Sequence, residues 1–176
     1  LSKVSARKNH NETAFFFPKL ISDKDGIVRI EFTMPEALTK WKFLGFAHDK
    51  EMRSGFLSDS MVTAKDIMVQ PNPPRFLREG DKIEFTVKVS NQSPTIQKGT
   101  VRLTFTDART NQSVDGKLGN KVTDLNFEIP AKQSRTYSWK ISVPDDLGVI
   151  TYKAVGGTGK ISDGEEGYLP VLSRRI

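Results

Sequence analysis

The sequence predicts an all-β protein: a fibronectin- or immunoglobulin-like antiparallel β-sandwich over residues 66–176, preceded by an incomplete β-sheet domain over residues 1–65. Three observations carry this. Beyond position 80 the apolar residues recur with period two, the pattern of strands buried on one face. Turn-forming clusters punctuate that pattern at the spacing of a sandwich. The first 65 residues hold strand-like runs too, but only enough for a single sheet.

In the second segment Ile67 to Val69 opens the series. Ile83, Phe85, Val87 and Val89 alternate with charged or hydroxylated neighbours. Val101, Leu103 and Phe105 repeat the pattern, followed by Leu125, Phe127 and Ile129, then Tyr137, Trp139, Ile141 and Val143, then Ile150, Tyr152 and Ala154. Tyr168 to Leu172 closes it, for seven strands in roughly a hundred residues, the sandwich pattern. Pro71-Asn72-Pro73-Pro74, Glu79-Gly80-Asp81, Asn91-Gln92-Ser93-Pro94, Asp115-Gly116, Pro144-Asp145-Asp146 and Gly156-Gly157 supply the turns. Trp139 stands where a sandwich needs a large inward side chain.

In the first segment Thr13 to Phe17 reads as a strand. Phe15 and Phe17 would share one face and Phe16 the other, because strand side chains alternate. Apolar groups on both faces call for cover on both. Asp25-Gly26 is a hairpin-type turn, and Ile27 to Thr33 a second strand with Val28, Ile30 and Phe32 on one face. Met34 to Thr39 can form a short helical turn, since Pro35 suits a first helical position. Trp41 to Ala47 and Gly55 to Thr63 complete four strands, which look like half a domain.

The composition limits function. There is no cysteine, which removes thiol nucleophiles, disulfides and thiolate metal sites. No run reaches the roughly 18 apolar residues of a membrane span. Leu1 begins no signal-peptide pattern, and the missing initiator Met suggests a piece of something longer. Lys plus Arg exceed Asp plus Glu by 27 to 21, for a net charge of +6 and a pI near 9.5. The basic residues are interleaved with acids, as in Lys82-Ile83-Glu84 and from Lys117 and Lys121 to Asp124. A solvated surface fits this better than a nucleic-acid footprint.

No motif assembles catalytic chemistry. Gly156-Gly157-Thr158-Gly159-Lys160 lacks the first glycine and the hydroxyl residue of a phosphate loop, with Ala154 and Ile161 in their places, and reads as a flexible loop. Asp23-Lys24-Asp25-Gly26 has its glycine too early for a calcium loop, and Met34 stands where the last acidic ligand belongs. His10 and His48, the two histidines, have no second ligand at a metal spacing. There is no Gly-x-Ser-x-Gly elbow. The expectation is no enzyme, with no catalytic, cofactor-binding or metal-ligating residue and no cofactor. Trp41, Phe43, Phe46, Phe76 and Trp139 could line a ligand groove, but at strand spacing such residues are more often core.

Arg7-Lys8-Asn9-His10-Asn11-Glu12-Thr13-Ala14, the aromatic run closed by Pro18, Asp25-Gly26-Ile27-Val28, and Phe32-Thr33-Met34-Pro35-Glu36-Ala37-Leu38-Thr39-Lys40-Trp41 form an ordered set. That order, R-K-x-x-x-E-T-A, D-G, P-E-x-L-T-x-W, resembles the stretch just after the bait region in the α2-macroglobulin family, in its bacterial form. His10 departs from the pattern, where the family more usually has an aromatic. Asn72 to Asn91, with Pro74-Arg75-Phe76 and Glu79-Gly80-Asp81, resembles the start of the following macroglobulin domain.

The resemblance implies that residues 1–65 are the C-terminal part of a macroglobulin domain split by the bait, and residues 66–176 the complete next one. It implies a non-catalytic structural fragment of an endopeptidase inhibitor, secreted or held in the bacterial cell envelope. Its partners would be target proteases, reached through the full-length parent, and neighbouring domains of the same chain, with no nucleic acid. A homodimer through residues 1–65 would cover the half domain. The alternative is an adhesin-type or carbohydrate-binding sandwich module, which would present Trp41, Phe43 and Phe76 as an exposed coplanar row.

Overall fold

The computed structural model describes residues 1–174. Asn9–Thr63 forms one unit, and Leu1–Lys8 joins the chain from Ala64 onward to form the other. Residues 1–8 thus pack with the sandwich that follows, where the sequence reading placed them with the first segment.

In the Asn9–Thr63 unit the regular structure is one antiparallel hairpin of β1, Lys40–His48, and β2, Ser54–Val62. The expected strands over Thr13–Phe17 and Ile27–Thr33 do not form. A strand is held by its ladder, and neither segment has a ladder partner among the described residues. Their aromatic side chains cluster instead. The Phe15 ring lies 4.3 Å from Phe32, 5.2 Å from Phe17 and 6.1 Å from Phe43. Phe15 and Phe17 therefore point the same way, as alternation predicts, but Phe16 is 80% exposed instead of covered.

The Asp25-Gly26 turn is present. The Asp23 carboxylate accepts from the backbone N–H groups of Asp25 and Ile27, and Gly26 takes φ 77°, a left-handed conformation that costs glycine little. Met34–Thr39 is not helical. Glu36 is bound to Asn9 through both its backbone N–H, at 2.8 Å, and its carboxylate, at 2.9 Å, and those bonds hold the segment open.

The larger unit contains β3 (Ile67–Asn72), β4 (Leu77–Arg78), β5 (Lys82–Asn91), β6 (Gln97–Asp107), α1 (Asp115–Leu118), β7 (Asp124–Ile129), β8 (Ser134–Ser142), β9 (Ile150–Gly157), β10 (Ser162–Leu169) and β11 (Val171–Leu172). One antiparallel sheet has the order β3-β5-β8 and the other β10-β9-β6-β7. β4 and β11 pair in parallel. The inward residues of the two sheets meet in one core that includes Val69, Phe85, Val87, Leu103, Phe105 and Trp139. Burying each large apolar side chain contributes about 1.5–3 kcal/mol. Phe85 and Phe105 meet edge to face at 5.4 Å, the favoured arrangement of two aromatic quadrupoles.

Several sequence-level boundaries shift. β3 continues through Pro71 and Asn72, residues that the sequence pattern assigns to a turn; it is an edge strand, so a proline there removes no needed ladder bond. Gly156 and Gly157 belong to β9, not to a loop. A Cβ on Gly156 would stand 2.8 Å from a Val69 methyl, so the two sheets approach where the side chain is missing. The last strand of the sheet begins at Ser162, not Tyr168. Asp115-Gly116 opens the single turn of α1, whose Leu118 is fully buried and whose Asp115 carboxylate accepts from Phe105 N–H at 2.9 Å.

Candidate functional site

The larger unit holds its entering chain by a buried ion pair. Arg7 is 6% exposed and Asp163, on β10, is 0% exposed. The guanidinium grips the carboxylate with two bonds, Nε to Oδ1 at 2.9 Å and Nη2 to Oδ2 at 3.1 Å, the bidentate geometry that makes arginine–carboxylate pairs strong. Nη2 also reaches Glu165 at 3.2 Å and donates to the Val69 carbonyl at 3.1 Å. Asp163 Oδ2 accepts from Val69 N–H at 2.8 Å. β3 and β10 are each an edge strand of one sheet. Arg7 and Asp163 together satisfy both outward backbone groups of Val69, so the ion pair closes the seam between the sheets.

The backbone of Arg7 pairs too. Its N–H donates to Gly164 O at 2.7 Å, and its carbonyl accepts from Glu166 N–H at 3.2 Å, a parallel bridge to Glu165. Lys8 Nζ lies 2.8 Å from Glu166. Lys65, just past the point where the chain re-enters this unit, places its ammonium 3.3 Å from Asp163 Oδ1. The departing and returning strands of chain therefore converge on one carboxylate.

A second buried carboxylate fastens the far end. Glu79 accepts from Asp146 N–H at 2.9 Å, from the Ser173 hydroxyl at 3.1 Å and from Arg174 N–H at 3.0 Å. Arg174 in turn pairs with Asp145 at 3.0 Å. Both clasps are built from fixed charges bound to backbone, an arrangement that positions chain segments.

The aromatic residues singled out in the sequence separate. Trp139 is core, and its indole N–H donates to Thr123 O at 3.1 Å. Trp41 and Phe43 are half-buried on one face of the β1–β2 hairpin, with Trp41 Nε1 donating to Thr63 Oγ1 at 3.0 Å and Phe43 against Phe15. Phe76 belongs to the larger unit, where it is exposed beneath the Arg78 guanidinium at 5.6 Å. Phe46 is not core: it is 70% exposed and stands directly opposite Phe56, 69% exposed, on the other hairpin face. His10 is exposed in the Asn9–Thr63 unit, and His48 sits beside Phe46 at 6.1 Å. Among the described residues no group of three His, Cys, Asp or Glu side chains could hold a metal ion, and no helix is long and apolar enough to cross a membrane.

A family model described as the Alpha-2-macroglobulin family matches residues 13–103. The chain belongs to the alpha-2-macroglobulin family. An Alpha-2-macroglobulin of Thermotoga maritima is 26% identical over 157 residues, which are 88% of this chain and 10% of that protein. An Alpha-2-macroglobulin homolog of Nostoc sp. is 26% identical over 92 residues, 52% of this chain and 5% of its own length. The solved structure of Escherichia coli alpha-2-macroglobulin activated by porcine elastase matches with a TM-score of 0.67 at 16% identity, covering 98% of this chain and 15% of that one. That likeness is one of fold, and the chain spans a small share of each alpha-2-macroglobulin it matches.

Arg7 was visible in the sequence only as part of the R-K-x-x-x-E-T-A pattern, with no role attached. Asp163 was not singled out at all. The available signal was an acidic run, Asp163-Gly164-Glu165-Glu166, without the apolar alternation that marks strands, in a chain whose basic Arg7-Lys8 lies far away in sequence.

Proposed function

We propose that this chain is a non-catalytic structural part of an α2-macroglobulin-like endopeptidase inhibitor, acting outside the cytoplasm as a secreted or bacterial envelope protein. In this reading Asn9–Thr63 is the C-terminal part of a macroglobulin-like domain split by the bait, and the sandwich from Ala64 onward is the next domain. The observation that carries it is the family match across residues 13–103. The geometry fits a scaffold: among the described residues the strands of the Asn9–Thr63 unit are those of one hairpin, with Leu44, Phe46, Phe56 and Val62 exposed on one face, as expected where further strands of one domain are supplied from elsewhere. Phe43 turns into the aromatic cluster with Phe15, and Trp41 is half-buried with its indole N–H bound to Thr63, which favours the scaffold over a carbohydrate-binding row.

The partners in this reading are target endopeptidases and neighbouring domains of the parent chain. Brief digestion of the full-length protein with an endopeptidase, followed by amino-terminal sequencing, tests it. Preferential cleavage in one stretch just before Leu1 is expected. Cleavage scattered over the chain, or first inside the sandwich, would contradict it.

A further inference from the structure

We propose that Leu1–Lys8 is a separable strap, and that the edges of β10 and β3 form a slot for a basic extended segment, which Ala6-Arg7-Lys8 fills in cis and which the same segment can fill in trans. The slot reads three features of its occupant. Its backbone is met by Gly164 O and Glu166 N–H, the way an added strand is recognised at a sheet edge. Its charges are complementary, with Arg7 on Asp163 and Glu165 and Lys8 on Glu166. Its backbone comes in close, since a Cβ on Gly164 would stand 3.3 Å from the Ala6 Cα and 2.8 Å from a Val155 methyl, so the floor is bare where Ala6 lies.

The slot also persists without the strap. Asp163 keeps Val69 N–H and the Lys65 ammonium as partners when Arg7 leaves, so its buried charge is not stranded. Within the strap only Ala6 and Arg7 are buried, so opening it disturbs little of the core, the condition for local release below global unfolding.

The test uses the full chain carrying Arg7→Ala, titrated with a fluorophore-labelled synthetic octapeptide of the Leu1–Lys8 sequence. Saturable binding is expected, weakened by about tenfold or more when the peptide carries Ala for its arginine, since a charge-assisted bidentate pair is lost. Binding should also fall when the chain carries Asp163→Asn in addition. Absence of saturable binding to a cooperatively melting chain, or equal binding by both peptides, would overturn the proposal. Should Arg7→Ala fail to fold, hydrogen exchange on the unmodified chain decides. The amides of Arg7 and Glu166 should then exchange about tenfold or more faster than those of β6 and β9 through local opening, and equal protection would overturn it.

Discussion

Trp139 is held on two counts. Its ring lies in the core directly across from Phe85 on the neighbouring strand, and its indole N–H is satisfied by Thr123 O. Truncation to Ala removes the packing and leaves a cavity, so Trp139→Ala should destabilise the larger unit by about 3–5 kcal/mol. Urea denaturation followed by circular dichroism measures this, and an unchanged midpoint would contradict the core assignment.

The acid limb of stability has a named contributor. The Arg102 side chain, bonding at 2.6 and 2.7 Å, holds the Asp124 carboxyl below its ordinary value of 3.8, against a smaller opposing effect of burial. A carboxyl whose folded value is lower than its unfolded one adds stability that is fully present above the unfolded value and drains as pH falls through the folded one. Asp124→Asn should therefore lose less melting temperature than the unmodified chain on going from about pH 5 to about pH 2. The pair is partly exposed, so the difference should be small and shrink with added salt.

At the scale of elements, the strands that alternate side chains were legible and those that pack backbone on backbone were not. β5, β6, β7, β8 and β9 carry an inward apolar or aromatic residue at every second position, as in Tyr137, Trp139 and Ile141 of β8. β10 instead carries Gly164 and Gly167 among acids, because its neighbours fill the space: a Cβ on Gly167 would lie 2.4 Å from the Tyr152 hydroxyl. Such a strand has no apolar period to read. The Phe15 and Ile27 segments erred in the opposite sense, having strand-like composition but no partner strand. Asp163, the centre of the clasp, was hidden for the same reason as its strand.

Glycine crowding in β6 can be tested. A Cβ on Gly99 would stand 2.2 Å from Gly157 O, a backbone atom, whereas one on Gly148 meets nothing within 4 Å. Gly99→Ala should cost about 1–3 kcal/mol through overpacking, with Gly148→Ala much milder in the same thermal melt. Equal effects would show that β6 and β9 do not approach so closely.

For the whole molecule, the Asn9–Thr63 unit is what the scaffold reading explains best. The outer edges of β1 and β2 have no ladder partner among the described residues, and Phe16, Phe46 and Phe56 face solvent. Exposed edges and apolar patches recruit other chains. The chain should accordingly associate with a second copy through its Asn9–Thr63 unit as concentration rises. Light scattering on the unmodified chain and on Phe16→Ser would check this, with the variant shifted toward monomer; a wild-type chain monomeric at every concentration would contradict it.

The proposed role is that of a non-catalytic structural part of an endopeptidase inhibitor. The most direct measurement mixes the full-length protein with an endopeptidase and follows hydrolysis of a large protein substrate and of a small peptide substrate in parallel. If, as proposed, the inhibitor hinders access to the protease and leaves its catalytic residues untouched, cleavage of the large substrate is suppressed while that of the small one survives. Undiminished cleavage of the large substrate, or equal loss of both, would contradict the account.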